Sequence, residues 1–222
     1  MNKLWSLALA ALLLAACNNN NTSEPVADEG TAAPTEEVNS EVTRLQHTFP
    51  DLFAYMAAQD SSFAPQQFQP GSQNKIETLP PLQFEPAQIK PFEPFLIFNS
   101  DSSRAIDLYS YNYIITRRNG QVNMEEAGPD TEIALIDMEA NTRRRIFFSG
   151  PSVTVFEAKW NGDNEIIMAG AEQLADNQIK PIIWQYNLTD SVMQTFTYDE
   201  AIAANMRGYV NSKKPAAAPR NL

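Results

Sequence analysis

The sequence predicts a mostly β fold: two four-stranded antiparallel meander repeats, packed as a sandwich or small barrel, with short N- and C-terminal helices. Three observations predict it. From Phe95 to Tyr198 the chain passes through eight segments rich in Ile, Val, Phe, Tyr, Trp or Thr, residues that suit a pleated, half-buried surface. The links between them are short, as at 99–103, 139–142, 161–164 and 188–191, and short links join antiparallel neighbours. Residues 132–148 also echo 182–198 at an offset of fifty: Ile133 falls on Ile183, and Ile136, Met138, Ile146 and Phe148 fall on Tyr186, Leu188, Phe196 and Tyr198. A fixed offset of this size marks a repeated structural unit.

The elements follow in chain order. Residues 1–16 read MNKLWSLALAALLLAA, with Lys3 as the positive start and Leu4–Leu14 as the apolar run. That is the layout of a secretory signal, and it is short of the roughly 20 apolar residues a membrane-spanning helix needs. Leu14-Ala15-Ala16-Cys17 ends the leader, and Cys17 is the single cysteine of the chain. The motif resembles the lipoprotein box of bacterial lipoproteins. The resemblance implies cleavage after Ala16 and a diacylglycerol on the Cys17 sulfur, with palmitate-class acyl chains holding the protein to a membrane. Asn18 stands where an Asp would favour inner-membrane retention in enterobacteria, so the resemblance leans toward the outer membrane of the cell envelope.

Residues 17–41 hold the acylated cysteine and an acidic stretch without aromatic or basic residues up to Ser40. Such a composition cannot bury enough apolar area to fold, so it is expected to be a disordered tether spanning about 25 Å on average. The folded domain is expected over 42–210, with repeats at about 93–148 and 153–198, and a flexible tail over 211–222. Within it, Ser40 is read as the cap of a helix carrying Val42, Leu45 and Phe49. Pro50 and Asp51 open a second helix with Leu52, Phe53 and Met56 on one stripe. Residues 59–94 hold seven prolines with Phe63, Phe68, Phe84 and Phe92. Proline at that density forbids a central strand, and the rings call for burial, so extended chain laid over the domain is expected. The strands are expected at 95–99, 104–115, 132–138, 143–148, 153–160, 165–170, 180–187 and 192–198. A last helix is read over 199–208, capped by Asp199 and stopped by Gly208.

The segment from Val155 to Tyr198, with Trp160, the Asn161-Gly162-Asp163 turn and Trp184, resembles a β-propeller blade of the WD-repeat kind. It departs from that pattern in lacking a Gly-His opening and in placing Gln185 where Asp is usual. Two blades cannot close a propeller of four to eight, so the resemblance implies blade-like sheets in another packing.

Charge and composition narrow the chemistry. The formal net charge is −11, and losing Lys3 with the leader makes it one unit more negative. Nucleic acid is not an expected partner, because phosphate backbones require a basic surface. With Cys17 acylated no thiol is left for a disulfide or for catalysis. His47, the single histidine, sits beside the tether, a poor place for a general base. No phosphate loop or dinucleotide fingerprint is present, and no cofactor is expected. Asp101, Asp107, Asp130, Asp137, Glu157, Asp163 and Glu165 are the acids from which a glycoside hydrolase pair would be drawn. Asn99, Asp101 and Ser103, and likewise Asn161, Asp163 and Glu165, alternate oxygen ligands as calcium loops do, in stretches too short for a full set.

Two clusters are the candidate binding residues. Tyr109, Tyr111 and Tyr113 alternate, which on one strand lines their rings along one face. Arg143 and Arg145 share a strand face while Arg144 points away, a spacing able to clamp a carboxylate or a sulfated or phosphorylated glycan. The expectation is a membrane-anchored envelope lipoprotein that binds a protein or glycan without catalysis. The alternatives are a scaffold subunit of an envelope complex and a carboxylate-dependent glycoside hydrolase.

Overall fold

A computed structural model describes residues 36–77, 79–118, 121–174 and 177–213. The leader, Cys17, the tether up to residue 35 and the tail from 214 lie outside the described residues. Helix α1 spans Glu36–Thr48 and α2 spans Pro50–Gln59. The proline-rich segment contributes β1 (Phe68–Lys75), β2 (Leu82–Gln83) and a one-turn α3 (Pro86–Ile89). Then come β3 (Ile97–Phe98), β4 (Arg104–Asp107), β5 (Tyr113–Arg118), β6 (Gln121–Glu126), β7 (Thr131–Asp137) and β8 (Thr142–Ser149). The chain continues through β9 (Val153–Asn161), β10 (Glu165–Gln173), β11 (Gln178–Asn187), β12 (Val192–Tyr198), β13 (Ile202–Ala203) and α4 (Met206–Lys213).

The fold is mostly β, with antiparallel sheets and short helices. One sheet has the order β1-β12-β11-β10-β9, with β13 paired to β11; a second has β2-β8-β7-β4-β3; β5 and β6 form a separate hairpin. Among the described residues neither large sheet closes on itself, so the small barrel expected as one option is not formed. In both sheets the proline-rich segment adds its strand at the edge of the last meander strand, β1 on β12 and β2 on β8. Pro70 is tolerated in β1 because that strand is an edge.

Alternation along β10 shows how the layers form. Ile166 and Met168 face the second sheet, packing with Ile106, Ile133, Leu135, Trp184 and Tyr186. Ile167, Ala169 and Ala171 face the helices, meeting Leu45, Phe49, Phe53, Phe68 and Tyr209. The far face of the second sheet is covered by the proline-rich segment, with Ala105 and Ile136 against Ile89, Leu96, Phe84 and Phe92. The predicted plugging of the phenylalanine rings thus holds, and Phe63 stacks on Tyr198 at 5.2 Å. Among the described residues no helix is long and apolar enough to cross a membrane.

Three predicted elements differ. Helix α1 starts at Glu36, so Ser40 lies inside it and the helix takes the last residues assigned to the tether. The strand expected over 104–115 ends at Asp107, whose Oδ1 accepts the N–H groups of Tyr109 at 3.0 Å and Ser110 at 2.9 Å. An aspartate that caps its own following backbone replaces the ladder with a turn. The helix expected over 199–208 is displaced to Met206–Lys213. Ile202 is buried and pairs with Ile179, while Ala203 N–H reaches Asp60 Oδ2 at 2.9 Å. Asn205 Oδ1 then accepts the Arg207 N–H at 3.1 Å, acting at the helix start. Gly208 lies inside α4 rather than ending it, and a Cβ there would stand 2.9 Å from the Tyr55 hydroxyl.

Candidate ligand-binding site

The turn after Asp107 determines where the three tyrosines go. Tyr109 and Ser110 are held by the Asp107 carboxylate, and Ser110 Oγ also bonds Asp107 Oδ2. Asn112 then donates Nδ2–H to the carbonyls of Leu108 at 2.7 Å and Glu132 at 2.8 Å, while its Oδ1 accepts the Glu132 N–H at 2.9 Å. Because residues 109–112 are turn and not strand, the tyrosines do not share a sheet face as the alternation predicts. Tyr109 and Tyr113 come together, with ring centroids 5.6 Å apart and planes at 40°, and Phe95 packs on Tyr109 at 5.9 Å. Tyr111 goes elsewhere, 41% exposed and edge-on to Phe148 at 6.2 Å.

Tyr109 and Tyr113 line a cavity of about 280 Å³, with Asn112, Glu126, Thr154 and Lys213 also on its wall. The size is near the lower end for small-ligand sites. Burial pushes the Tyr113 phenol up to about 12, with the nearby Glu126 carboxylate and Tyr109 adding to the rise. The Tyr109 phenol is raised mainly by burial and secondarily by Glu157. Both rings therefore present neutral hydroxyls at physiological pH. Lys213 is anchored at the rim by Asp51 Oδ2 at 2.8 Å and Glu157 Oε1 at 3.4 Å. Glu157 also accepts the Tyr209 hydroxyl, tying α4 to β9.

Arg143 and Arg145 do share a face, and a carboxylate from the chain already occupies it. Glu132, 2% exposed, accepts Arg143 Nη1 and Arg145 Nε, the latter at 2.6 Å. Arg143 Nε also bonds Asp107 Oδ2 at 3.2 Å, and Asp107 is 1% exposed. Each buried acid is paired with a guanidinium, which offsets the cost of its burial. A bulge in β8 leaves Ile146 without a partner between the pairs Ala134–Arg145 and Ile133–Phe147. Ile146 and Phe147 both pack inward, and parity is reset so that Phe148 emerges beside Arg145. The Arg145 guanidinium stacks 4.6 Å from the Phe148 ring centroid, and Phe148 is 47% exposed. The result is an exposed Tyr111–Phe148–Arg145 patch on a rigid ion-pair network.

The remaining acids hold local structure. Asp101 Oδ1 accepts Ser103 N–H at 2.8 Å, and that serine holds the carboxyl below its ordinary range. Asp163 Oδ1 accepts Ser100 Oγ at 2.6 Å, so the two turns whose oxygen ligands alternate bond one another. Glu165 takes Gln185 Nε2 at 2.6 Å, Arg44 Nη1 at 3.3 Å and Asn161 Nδ2. Asp137 Oδ1 accepts Ala140 N–H at 2.8 Å, and Asp130 lines the tyrosine cavity. His47 is exposed on α1. Among the described residues no group of three or more His, Cys, Asp or Glu is arranged to hold a metal.

Sequence reasoning missed Glu132, Asn112 and Phe148, together with the β5–β6 hairpin. The Asn119-Gly120 dipeptide is a hairpin signal that would have found the last. No family model, curated protein or solved structure matches the chain.

Proposed function

We propose that this is a lipid-anchored protein of the bacterial envelope that binds a protein or glycan ligand without transforming it. The observation that carries the reading is the Tyr109–Tyr113 pair lining a cavity whose wall is fixed by Asn112. Neutral phenols with apolar faces and polar tips suit sugar rings, which stack on aromatic faces and exchange hydroxyl hydrogen bonds. The lipoprotein box at Cys17 supports the anchor, and Asn18 supports the outer membrane over the inner. In the same reading the domain is a sandwich of two related blade-like meanders. The matching addition of β1 to β12 and β2 to β8 supports that duplication.

The reading is tested by screening the chain against an envelope-glycan panel and by retention of envelope proteins on immobilised chain. The binding partner found with the native chain should be lost on Tyr109→Ala and kept on Arg207→Gln, since Arg207 lies outside both tyrosine sites. Binding undiminished in Tyr109→Ala would remove the tyrosine cavity from the function. Recovery of the chain in a fixed-stoichiometry complex that ignores this substitution would favour a scaffold subunit.

A further inference from the structure

A different pair of arginines has a different environment. Register places Arg104 of β4 opposite Asp137 of β7, Asp137 opposite Thr142 of β8, and Leu135 of β7 opposite Arg144 of β8. These side chains line one cavity of about 300 Å³, closed on one side by Pro81. Arg144 is half-buried, yet among the described residues its guanidinium makes no hydrogen bond and no ion pair. Arg104 is fixed by Nη2 donating to the Asp163 carbonyl at 2.6 Å and by stacking over Trp160, 5.6 Å from the ring centroid. Its Nε and Nη1 are left without a partner among the described residues. Asp137 turns one oxygen to the Ala140 N–H and forms no ion pair with either arginine among the described residues.

We propose that Arg104 and Arg144 form an oxyanion-binding notch that takes a phosphate, sulfate or carboxylate group. The lining carries two guanidiniums and one carboxylate, on a chain whose net charge is −11, and the Asp101 carboxylate lies outside the lining but within electrostatic reach of Arg104. A bare half-buried guanidinium is costly, and an oxyanion bonded by two forks offsets that cost by charge-assisted hydrogen bonds. The Trp160 stack and the Asp163 carbonyl hold Arg104 ready for it. Thr142 supplies a hydroxyl donor at the same wall. The notch stands apart from the tyrosine cavity, shares no lining residue with it, and does not depend on the function proposed above.

The experiment is a titration of the whole chain with inorganic phosphate, and separately with acetate, at constant ionic strength set by sodium chloride. Arginine Nε–H resonances are followed by NMR. Saturable shifts at Arg104 and Arg144 with either ion are the expected result, phosphate alone identifying a tetrahedral group and acetate alone a carboxylate. Arg144→Gln should weaken the affinity about tenfold, the scale of losing one charge-assisted hydrogen bond. Arg207→Gln should leave it unchanged. Linear, non-saturating shifts with both ions in the native chain would overturn the notch whatever the variants do. Equal affinity in native and Arg144→Gln chains would do the same.

Discussion

The Asn112 side chain clamps the Glu132 backbone from both sides, donating to its carbonyl at 2.8 Å and accepting its N–H at 2.9 Å. A side-chain amide here plays the part of a neighbouring strand for β7, exactly where β4 has turned away at Asp107. Asn112→Ala leaves two buried backbone groups unpaired and frees the turn that carries Tyr109 and Tyr111. A stability loss of about 2 kcal/mol is expected in urea unfolding. A loss near zero would mean that water replaces the amide and that the turn is not set by Asn112.

Glu132 sits under two arginines and bonds both Arg143 and Arg145. Glu132→Gln removes the charge and leaves Arg143 with Asp107 and Arg145 with a neutral amide. Breaking a buried pair on one side is costly because the other charge stays buried, and about 3 kcal/mol of destabilisation is expected. Arg145 is the more exposed partner, with 39% of its side chain accessible, so Arg145→Gln should cost less. A double-mutant cycle of the two substitutions separates the Glu132–Arg145 coupling from the rest. Additive losses would show that Glu132 acts through Arg143 alone.

Tyr113 gives the chain a pH dependence on the alkaline side. Its folded-state value is raised from 10.0 to about 12, so the native protein holds the phenolic proton more tightly than the unfolded chain does. Between those values the native state binds more protons, and stability must fall as pH rises. The Tyr113 contribution is complete below about pH 10 and is lost on approaching about pH 12. Urea midpoints measured across that window should decline, and Tyr113→Phe should flatten part of the decline. An unaltered slope in the variant would place the effect on other groups.

The proposed lipid anchor is tested at Cys17. Each methylene of an acyl chain buried in a bilayer contributes about 0.8 kcal/mol, and one chain holds a protein only marginally. Cys17→Ala should move the protein from the membrane fraction to the soluble fraction and abolish incorporation of labelled palmitate. Firm membrane association of that variant would sink the lipoprotein reading.

How much of this was legible in the sequence depends on which physical signal carries it. The strands of the larger sheet follow from runs of Ile, Val, Phe, Tyr, Trp and Thr separated by short turns, and the four-strand run 153–198 is found where the sequence puts it, although β10 is buried on both faces. The shared face of Arg143 and Arg145 was legible from the alternation of side chains along a strand. What alternation hides is a change of parity. The bulge at Ile146 puts Arg145 and Phe148 on one face although they stand three positions apart, an odd spacing that regular alternation sends to opposite faces. The split at Asp107 was hidden because Tyr109, Tyr111 and Tyr113 have strong strand preference, which the carboxylate overrides through two backbone hydrogen bonds. Glu132 reads as an ordinary strand-end acid until its register opposite β8 is known.

Gly170 tests the second bulge. In β9 the pairs Ala169–Glu157 and Gly170–Val155 leave Phe156 over, and Phe156 packs toward the helices while Val155 faces the other sheet. Next to that bulge a Cβ on Gly170 would stand 2.1 Å from the Thr154 carbonyl oxygen and 3.0 Å from the Trp184 ring. The first neighbour is backbone and cannot rotate away, so Gly170→Ala must displace β9 from β10. Overpacking of this kind costs about 3 kcal/mol. Gly150→Ala, where a Cβ meets nothing within 4 Å, is the control and should fall within about 0.5 kcal/mol of the native chain. Because Thr154 also lines the tyrosine cavity, the Gly170 variant should lose ligand affinity along with stability, while Gly150→Ala keeps both. Thermal and urea unfolding of the two variants decide it, and native-like stability in Gly170→Ala would mean that β9 does not approach β10 this closely.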